Sequence, residues 1–257
     1  MTVDRLSRSS FVSRAGLKAC ALRATFVVLG LLAWFWTQAL LGARASPADE
    51  NKLQIAAAVL VRGDALLELS RPLNVYLNEH RAVAHGLLIA SSAMIDVLGV
   101  FLLAWSVLGP SVRPFVGLLM LFALRQVTQM LCALPQPTEM IWEQPGFPSL
   151  LVTYSVANDF FFSGHTAIAV FGAIELCRFT AGRLGGALAA AIQFAIAGGA
   201  VFLMAVVLVL RAHYTMDVFA GFITAVLAAI LAGRMAPACD RGLGRLVDRP
   251  AAIGDPS

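Results

Sequence analysis

Residues 24–43 read ATFVVLGLLAWFWTQALLGA, a run of twenty residues without one charged side chain. A helix of about 20 apolar residues is long enough to cross the hydrocarbon core of a bilayer. Further apolar runs follow at residues 82–109, 114–134, 160–177, 184–210 and 214–232. The sequence therefore predicts an all-α fold, an integral membrane bundle of six transmembrane helices. The fourth and sixth of these are short and begin at polar residues.

The composition supports a membrane protein. Of the 257 residues, 59% are hydrophobic and 13% are charged, whereas soluble domains carry about 25% charged residues. The formal charge of +4 does not indicate a nucleic-acid partner, because the basic residues collect at the two ends of the chain. They precede the first helix and follow the last: Arg5, Arg8, Arg14, Lys18, Arg23, Arg234, Arg241, Arg245 and Arg249.

The distribution of basic residues also predicts the topology. Cytoplasmic segments of membrane proteins are enriched in Lys and Arg, so both termini are expected in the cytoplasm. The protein is expected in the plasma membrane or the inner membrane. We divide the chain into a basic cytoplasmic N-terminus (1–23), a membrane catalytic domain (24–234) and a disordered cytoplasmic tail (235–257). The sequence GARAS after the first helix resembles a signal-peptide cleavage site, but the apolar run is longer than such a segment, and an uncleaved helix is favoured.

Two histidines stand out from their surroundings. In RAHYTMDV, His213 and Asp217 are four residues apart and would share one face of a helix. The carboxylate could fix the imidazole tautomer and leave the other nitrogen free to attack an electrophile. The alternative is a polar pair at the start of a helix that serves only to satisfy itself at the membrane interface.

The second histidine follows a helix-start pattern. In FSGHT, Ser163 and Gly164 open the fourth predicted helix, and His165 falls in its first turn. The free N–H groups at a helix start favour an anion such as phosphate, and His165 could protonate a leaving oxygen. Because the topology brings both histidines to the same membrane face, the residues predict phosphoryl transfer at His165, His213 and Asp217. No dense cluster of acidic residues and histidines suggests a metal, and no cofactor is expected.

These motifs resemble those of the sphingomyelin synthase branch of the type 2 phosphatidic acid phosphatase superfamily. A third motif, RQVTQMLCALPQP, precedes SGHT and HYTMDV in the chain and is similar to the branch pattern R-x-x-T-x5-L-P-x-P. The superfamily's phosphatases carry a K-x6-R-P motif, but here Asp64 stands where the lysine would be. Val206 and Val207 likewise stand where those phosphatases have Ser-Arg. The branch's P-L-P-D motif is also absent, and RPLNVY is at most a remnant of it.

The resemblance implies a mechanism and substrates. His213 would attack a phospholipid donor, Asp217 would orient the ring and His165 would protonate the departing diacylglycerol. The headgroup would then pass to a lipid alcohol acceptor, ceramide in this branch or diacylglycerol in a related plant group. When water is the acceptor, the same site would act as a phospholipase C.

Further polar residues are candidate substrate ligands. Arg125 lies deep in the third helix, where a guanidinium could clamp phosphate or pair with Asp96. Arg211 could bind phosphate or extend to the interface. The resemblance adds Asp159, and Glu143 is a looser candidate in the same loop.

Two other functions remain open at this stage. A lipid phosphate phosphatase would use the same site on a monoester, although the Lys and Ser-Arg groups expected for a dianion are missing. A transporter or scaffold would use the polar residues to line a cavity, but no paired discontinuous helices or inverted repeat support this interpretation.

Overall fold

The computed structural model describes residues 14–42, 50–132, 134–152, 154, 161–181 and 183–247. Regular structure in this part of the chain is helical, with no strand. The helices are α1 (Arg14–Gly42), α2 (Glu50–Gly63), α3 (Ala65–Leu69), α4 (Arg71–Glu79), α5 (Arg81–Leu108), α6 (Arg113–Leu131), α7 (Gly164–Ala181), α8 (Gly186–Val209) and α9 (Thr215–Val247). The predicted all-α class is confirmed.

All six predicted helices form, as α1 and α5–α9. Five of them are long and apolar enough to cross a membrane: α1, α5, α6, α8 and α9. The helix α7 is not among these five, so the predicted number of six spans is confirmed only in part.

The position of α7 in the bundle explains its weaker hydrophobicity. It packs against α5, α6, α8 and α9, and most of its side chains are buried, from His165 to Gly172 without a break. Its neighbours are therefore protein rather than lipid. A central helix can keep His165 and Glu175 because other helices provide their surroundings.

The helix α1 lies at the edge of this core. Most of its side chains are exposed, and it is held to α6 by aromatic contacts. Phe26 meets Phe115 edge-on at 5.5 Å between ring centroids, and Trp34 stacks on Phe122 at 4.3 Å.

The connection between α1 and α5 differs from its sequence prediction. It was expected to be a long loop, but residues 50–79 form the helices α2, α3 and α4. Buried Asn74 of α4 donates hydrogen bonds to the backbone oxygens of Val209 at 2.9 Å and Glu139 at 3.3 Å. These bonds hold α4 against the end of α8, close to the RAHYTMD segment.

The C-terminal part of the chain also differs from expectation. Residues 235–247, predicted to be disordered, continue α9 as helix through Pro237 to Val247. Asp240 on this extension accepts hydrogen bonds from Ser111 Oγ at 2.6 Å and from the backbone nitrogen of Val112 at 3.0 Å. The extension is therefore anchored at the start of α6. Residues 248–257 lie outside the described part of the chain.

Candidate active site

The start of α7 is fixed by Ser163. Its backbone carbonyl accepts from Ala167 at 3.0 Å, and its Oγ accepts from the backbone nitrogen of Thr166 at 3.3 Å and from the Thr166 hydroxyl at 3.0 Å. This is an N-terminal cap, and it is fully buried. Ser163 thus caps the start of α7, while the following residues Gly164 and His165 face the site.

His165 lies at the centre of the candidate site. Only 8% of the residue is exposed, and its Nε2 atom has no hydrogen-bond partner among the described residues. The edge of its ring meets Trp142, with ring centroids 5.2 Å apart. A buried nitrogen without a hydrogen-bond partner costs free energy. At a helix start, such a nitrogen suits a residue that exchanges a proton with a bound substrate.

The start of α9 carries the predicted His–Asp pair. The Nδ1 atom of His213 lies 3.2 Å from Oδ2 of Asp217, and the same oxygen accepts from the backbone nitrogen of Tyr214 at 3.0 Å. Asp217 is fully buried, and its Oδ1 atom has no hydrogen-bond partner in the part of the chain that the structure describes. The carboxylate can therefore hold the His213 ring in one orientation through Nδ1.

The structure brings the two motifs together. The backbone nitrogen of Ser163 donates to the carbonyl oxygen of Asp217 at 3.1 Å, which joins the starts of α7 and α9 directly. The approach depends on Gly221, because a Cβ atom there would lie 2.6 Å from the carbonyl oxygen of Ser163. His165 and His213 therefore lie near the two helix starts that this hydrogen bond joins.

Arg125 reaches the same place from α6. A Cβ atom on Gly164 would lie 3.9 Å from both Cζ and Nε of Arg125, so the guanidinium sits against the first turn of α7. It is also close enough to His165 to act on that ring through its charge. This placement suits a side chain that binds the phosphate group of a substrate.

The expected ion pair between Arg125 and Asp96 is not among the contacts of the described residues. The Asp96 carboxylate instead accepts from the Ser149 hydroxyl at 3.0 and 3.1 Å and from the backbone nitrogens of Leu150 and Leu151, each at 2.9 Å. Sequence alone could not show this, because the partners lie more than fifty residues away in a loop. Asp96 shapes that loop rather than holding Arg125.

Arg211 has a different environment from either one predicted. It is 1% exposed and adopts a left-handed backbone conformation, with φ of 52°. Its guanidinium binds Glu139 at 2.9 Å and Glu68 at 3.5 Å. The side chain is therefore neither at the interface nor directed to a ligand through its charge. It fastens α3 and the loop after α6 to the segment before His213.

The remaining predicted ligands lie elsewhere. Glu143 is half-exposed and binds His85 at 3.0 Å and Arg81 at 3.3 Å, at the start of α5. Its neighbour Trp142, not Glu143, contacts His165. Asp159 lies outside the described residues.

Sequence reasoning missed two groups. The sequence did not single out Trp142, and only the fold places it beside His165. Asp64 was noted as a departure from a lysine, but its carboxylate binds Thr215, immediately after the His213 segment, at 2.5 and 2.7 Å. The contact between Asp64 and Thr215 spans 151 residues, and no local sequence pattern indicates it.

Tyr214 completes the segment beside the pair. Its hydroxyl donates to the carbonyl oxygen of Pro135 at 3.1 Å. Burial raises the pKa of Tyr214 to about 12, and the negative charges of Asp217 and Asp64 add to the effect. The phenol therefore stays protonated at physiological pH and keeps this hydrogen bond.

A comparison with known proteins decides the family. The family model AtPDCT1/2 matches residues 64–234, which include every described residue of the site. The chain belongs to this family. Its members are phosphatidylcholine:diacylglycerol cholinephosphotransferases, so membership indicates a phospholipid headgroup transferase. No curated protein and no solved structure matches the chain.

The match corrects the expected relationship. The chain was expected to resemble the sphingomyelin synthase branch, and that assignment is wrong, because the matching family transfers a headgroup to diacylglycerol. Both kinds of enzyme transfer a lipid headgroup, so the chemistry inferred from His165, His213 and Asp217 did not separate them. The ceramide acceptor is not supported, whereas phospholipid and diacylglycerol substrates in a membrane are.

Proposed function

We propose that this protein transfers phosphocholine from phosphatidylcholine to diacylglycerol, with His213 as the nucleophile. The observation that supports this most strongly is the family match over residues 64–234, because it encloses the whole constellation of His165, His213 and Asp217. The reaction would exchange one diacylglycerol backbone for another and leave the number of phosphatidylcholine molecules unchanged.

The first step forms a covalent intermediate. Nε2 of His213 attacks phosphorus, and the bond from phosphorus to the glycerol oxygen breaks. His165 gives its proton to that oxygen, and diacylglycerol leaves. Asp217, which holds Nδ1 at 3.2 Å, stabilises the positive charge that the His213 ring acquires.

The second step reverses the first with another acceptor. The hydroxyl of an incoming diacylglycerol gives its proton to His165 and attacks phosphorus. The bond between phosphorus and Nε2 breaks, and a new phosphatidylcholine forms. His165 is thus an acid in one step and a base in the other, as two nearly symmetric half-reactions require.

The charges near the site favour a phosphodiester over a phosphomonoester. A diester carries one negative charge, while a monoester carries almost two at neutral pH. The charge of Arg211 is balanced by Glu139 and Glu68, so Arg211 adds no cation for a doubly charged monoester. With Arg211 committed elsewhere and Asp64 in the place of a lysine, a lipid phosphate phosphatase is disfavoured.

Aromatic side chains beside His165 suit the choline group. Trp142 contacts Tyr154, with ring centroids 5.3 Å apart, as well as His165 at 5.2 Å. A quaternary ammonium binds well over the face of Trp or Tyr. We therefore assign the choline end of the donor to the side of the site formed by Trp142 and Tyr154.

A transfer assay tests the proposed function. Purified protein would be incubated in vesicles with phosphatidylcholine labelled in the choline and with a fluorescent diacylglycerol. The expected product is phosphatidylcholine that carries both the label and the fluorescent chains. Release of phosphocholine alone would indicate a hydrolase. In a parallel incubation with phosphatidic acid, release of inorganic phosphate would indicate the phosphatase.

The same assay tests the choline assignment. Trp142→Leu should reduce transfer from phosphatidylcholine more than transfer from phosphatidylethanolamine, because a primary ammonium relies more on hydrogen bonds. Trp142→Phe should retain part of the preference. Equal losses with both donors would mean that Trp142 only supports the His165 ring.

A further inference from the structure

Asp64 is placed to act on the reaction although it lies outside the pair formed by His213 and Asp217. It is the one residue between α2 and α3, and α2 ends at Gly63. Its Oδ2 atom accepts from the backbone nitrogen of Thr215 at 2.7 Å, and its Oδ1 atom accepts from the Thr215 hydroxyl at 2.5 Å. These are short bonds, as expected for a charged acceptor.

The same carboxylate serves two helices. Oδ1 also accepts from the backbone nitrogen of Leu67 at 3.2 Å, which makes Asp64 the N-terminal cap of α3. Thr215 is the first residue of α9, so its backbone nitrogen is one of the groups left without a partner inside that helix. Asp64 therefore caps α9 from a distant part of the chain, and its charge complements the dipoles of both helices.

The position of Thr215 gives this cap a consequence for His213. Thr215 lies two residues after His213 and two residues before Asp217, between the members of the pair. Asp217 binds this segment through Tyr214 and His213, and Asp64 binds it through Thr215. The His213 ring is thus carried by a backbone that is tied down on both sides.

We propose that Asp64 is a positioning residue for the nucleophile, acting through Thr215, and this inference rests on the proposed function. In-line attack requires the reacting nitrogen to sit at about 3–3.5 Å from phosphorus with the right direction. Release of Thr215 would let the His213 segment shift without removing any group that touches the substrate. The expected loss is therefore in turnover rather than in binding of the donor.

Two sets of variants separate positioning from folding. Asp64→Ser can still cap α3 at Leu67 but is too short to reach Thr215. Thr215→Val removes the hydroxyl at nearly constant volume, and Thr215→Ser retains it. Asp240→Ser is the matched control, because Asp240 caps the start of α6 in the same way at 2.6 and 3.0 Å but far from His213 along α9.

The measurement is kcat and KM for choline-labelled phosphatidylcholine with diacylglycerol, per folded molecule, with the folded fraction measured by detergent size exclusion and thermal unfolding. Asp64→Ser should lower kcat by about 10-fold to 100-fold with little change in KM. Thr215→Val should show a smaller loss in kcat, Thr215→Ser should restore turnover, and the double variant Asp64→Ser/Thr215→Val should be no worse than Asp64→Ser. Asp240→Ser should lower thermal stability and leave kcat unchanged.

Other results would overturn the inference. If wild type transfers the headgroup and Asp64→Ser matches it in kcat per folded molecule, Asp64 only caps helices. The same conclusion follows if Asp64→Ser and Asp240→Ser lose kcat equally. Should Asp64→Ser fail to fold, wild-type turnover in Thr215→Val would overturn the inference. If wild type transfers no headgroup to any acceptor, the proposed function itself fails, which is a different result from any of these.

Discussion

The two ends of the bundle both contain buried charged groups, but they use them differently. At the site end, formed by the starts of α7 and α9, Oδ1 of Asp217 and Nε2 of His165 have no partners among the described residues. At the opposite end, the Glu175 carboxylate on α7 binds the guanidinium of Arg113, which also donates to the carbonyl oxygen of Ala229 at 2.8 Å.

The difference supports the proposed active site at the end formed by the starts of α7 and α9. Glu175 lies one helical turn before Arg178, but its carboxylate binds Arg113 of α6. The buried Glu175 carboxylate joins two helices and has its charge balanced within the protein. A buried carboxylate with an unpaired oxygen costs free energy, and such a cost is expected where a substrate completes the environment. Substitutions at the site end can therefore be compared with control substitutions elsewhere in the bundle.

The largest expected effect follows from the two buried carboxylates. Asp217→Asn should lower turnover by about 10³-fold to 10⁴-fold, because an amide can hold the His213 ring in the wrong tautomer and cannot balance its positive charge. Glu175→Gln should lower thermal stability and leave turnover per folded molecule unchanged. The measurement is kcat in the transfer assay, normalised to folded protein. Similar turnover in both variants would remove the distinction between the two ends.

The two partly buried arginines of α6 give the next largest effect. Arg125→Lys should lower turnover by about 10²-fold, because an ammonium cannot reproduce the planar guanidinium against a phosphate. Arg113→Lys keeps a positive charge beside Glu175 and should change turnover little. Initial rates over a range of donor concentrations will show both effects. Full activity in Arg125→Lys would make Arg125 structural, like Arg113.

A smaller effect is expected where α7 and α9 touch. Gly221→Ala places a methyl group against the Ser163 carbonyl, at 2.6 Å before adjustment. The helices must separate, which should reduce turnover by about 10-fold, within the 10²-fold that a misplacement of about 1 Å can cost. Gly198→Ala on α8 has open space around it and should leave turnover unchanged, with a stability equal to or above that of wild type. Equal activity in the two variants would show that the contact between α7 and α9 tolerates adjustment.

The last of these tests leaves activity unchanged and concerns which end faces outward. The basic termini predict that the site end lies on the non-cytoplasmic face. In a variant without other cysteines, Gln144→Cys should react with an impermeant thiol reagent in intact cells, or in spheroplasts if an outer membrane intervenes. A variant that keeps only Cys239 should react after lysis. The reverse pattern would invert the topology.

The sequence predicted the long helices α1 and α5–α9, because hydrophobicity and length depend on local composition. It also predicted His165, His213 and Asp217 as one site, because motif spacing and topology bring helix starts to the same face. Arg211, Asp96 and Asp64 could not be assigned in this way. Their partners, Glu139, Leu151 and Thr215, are distant in the chain, and a charge in a sequence does not show which buried group will neutralise it.

The length of α9 was underestimated for a similar reason. A tail rich in Gly, Pro and charge was expected to be disordered, but Asp240 is held by Ser111 and Val112 at the start of α6. The tertiary contact outweighs the weak helix propensity of this segment. Local composition contains no information about that contact.

The stereochemical course at phosphorus tests the central claim most directly, namely that the headgroup is transferred through His213. The donor would be phosphatidylcholine made chiral at phosphorus with isotopic oxygen, and the configuration would be read in the product phosphatidylcholine with diacylglycerol as acceptor. Two successive in-line displacements, first by His213 and then by the acceptor, predict retention of configuration. Inversion would mean a single direct transfer between lipids and would contradict a covalent role for His213.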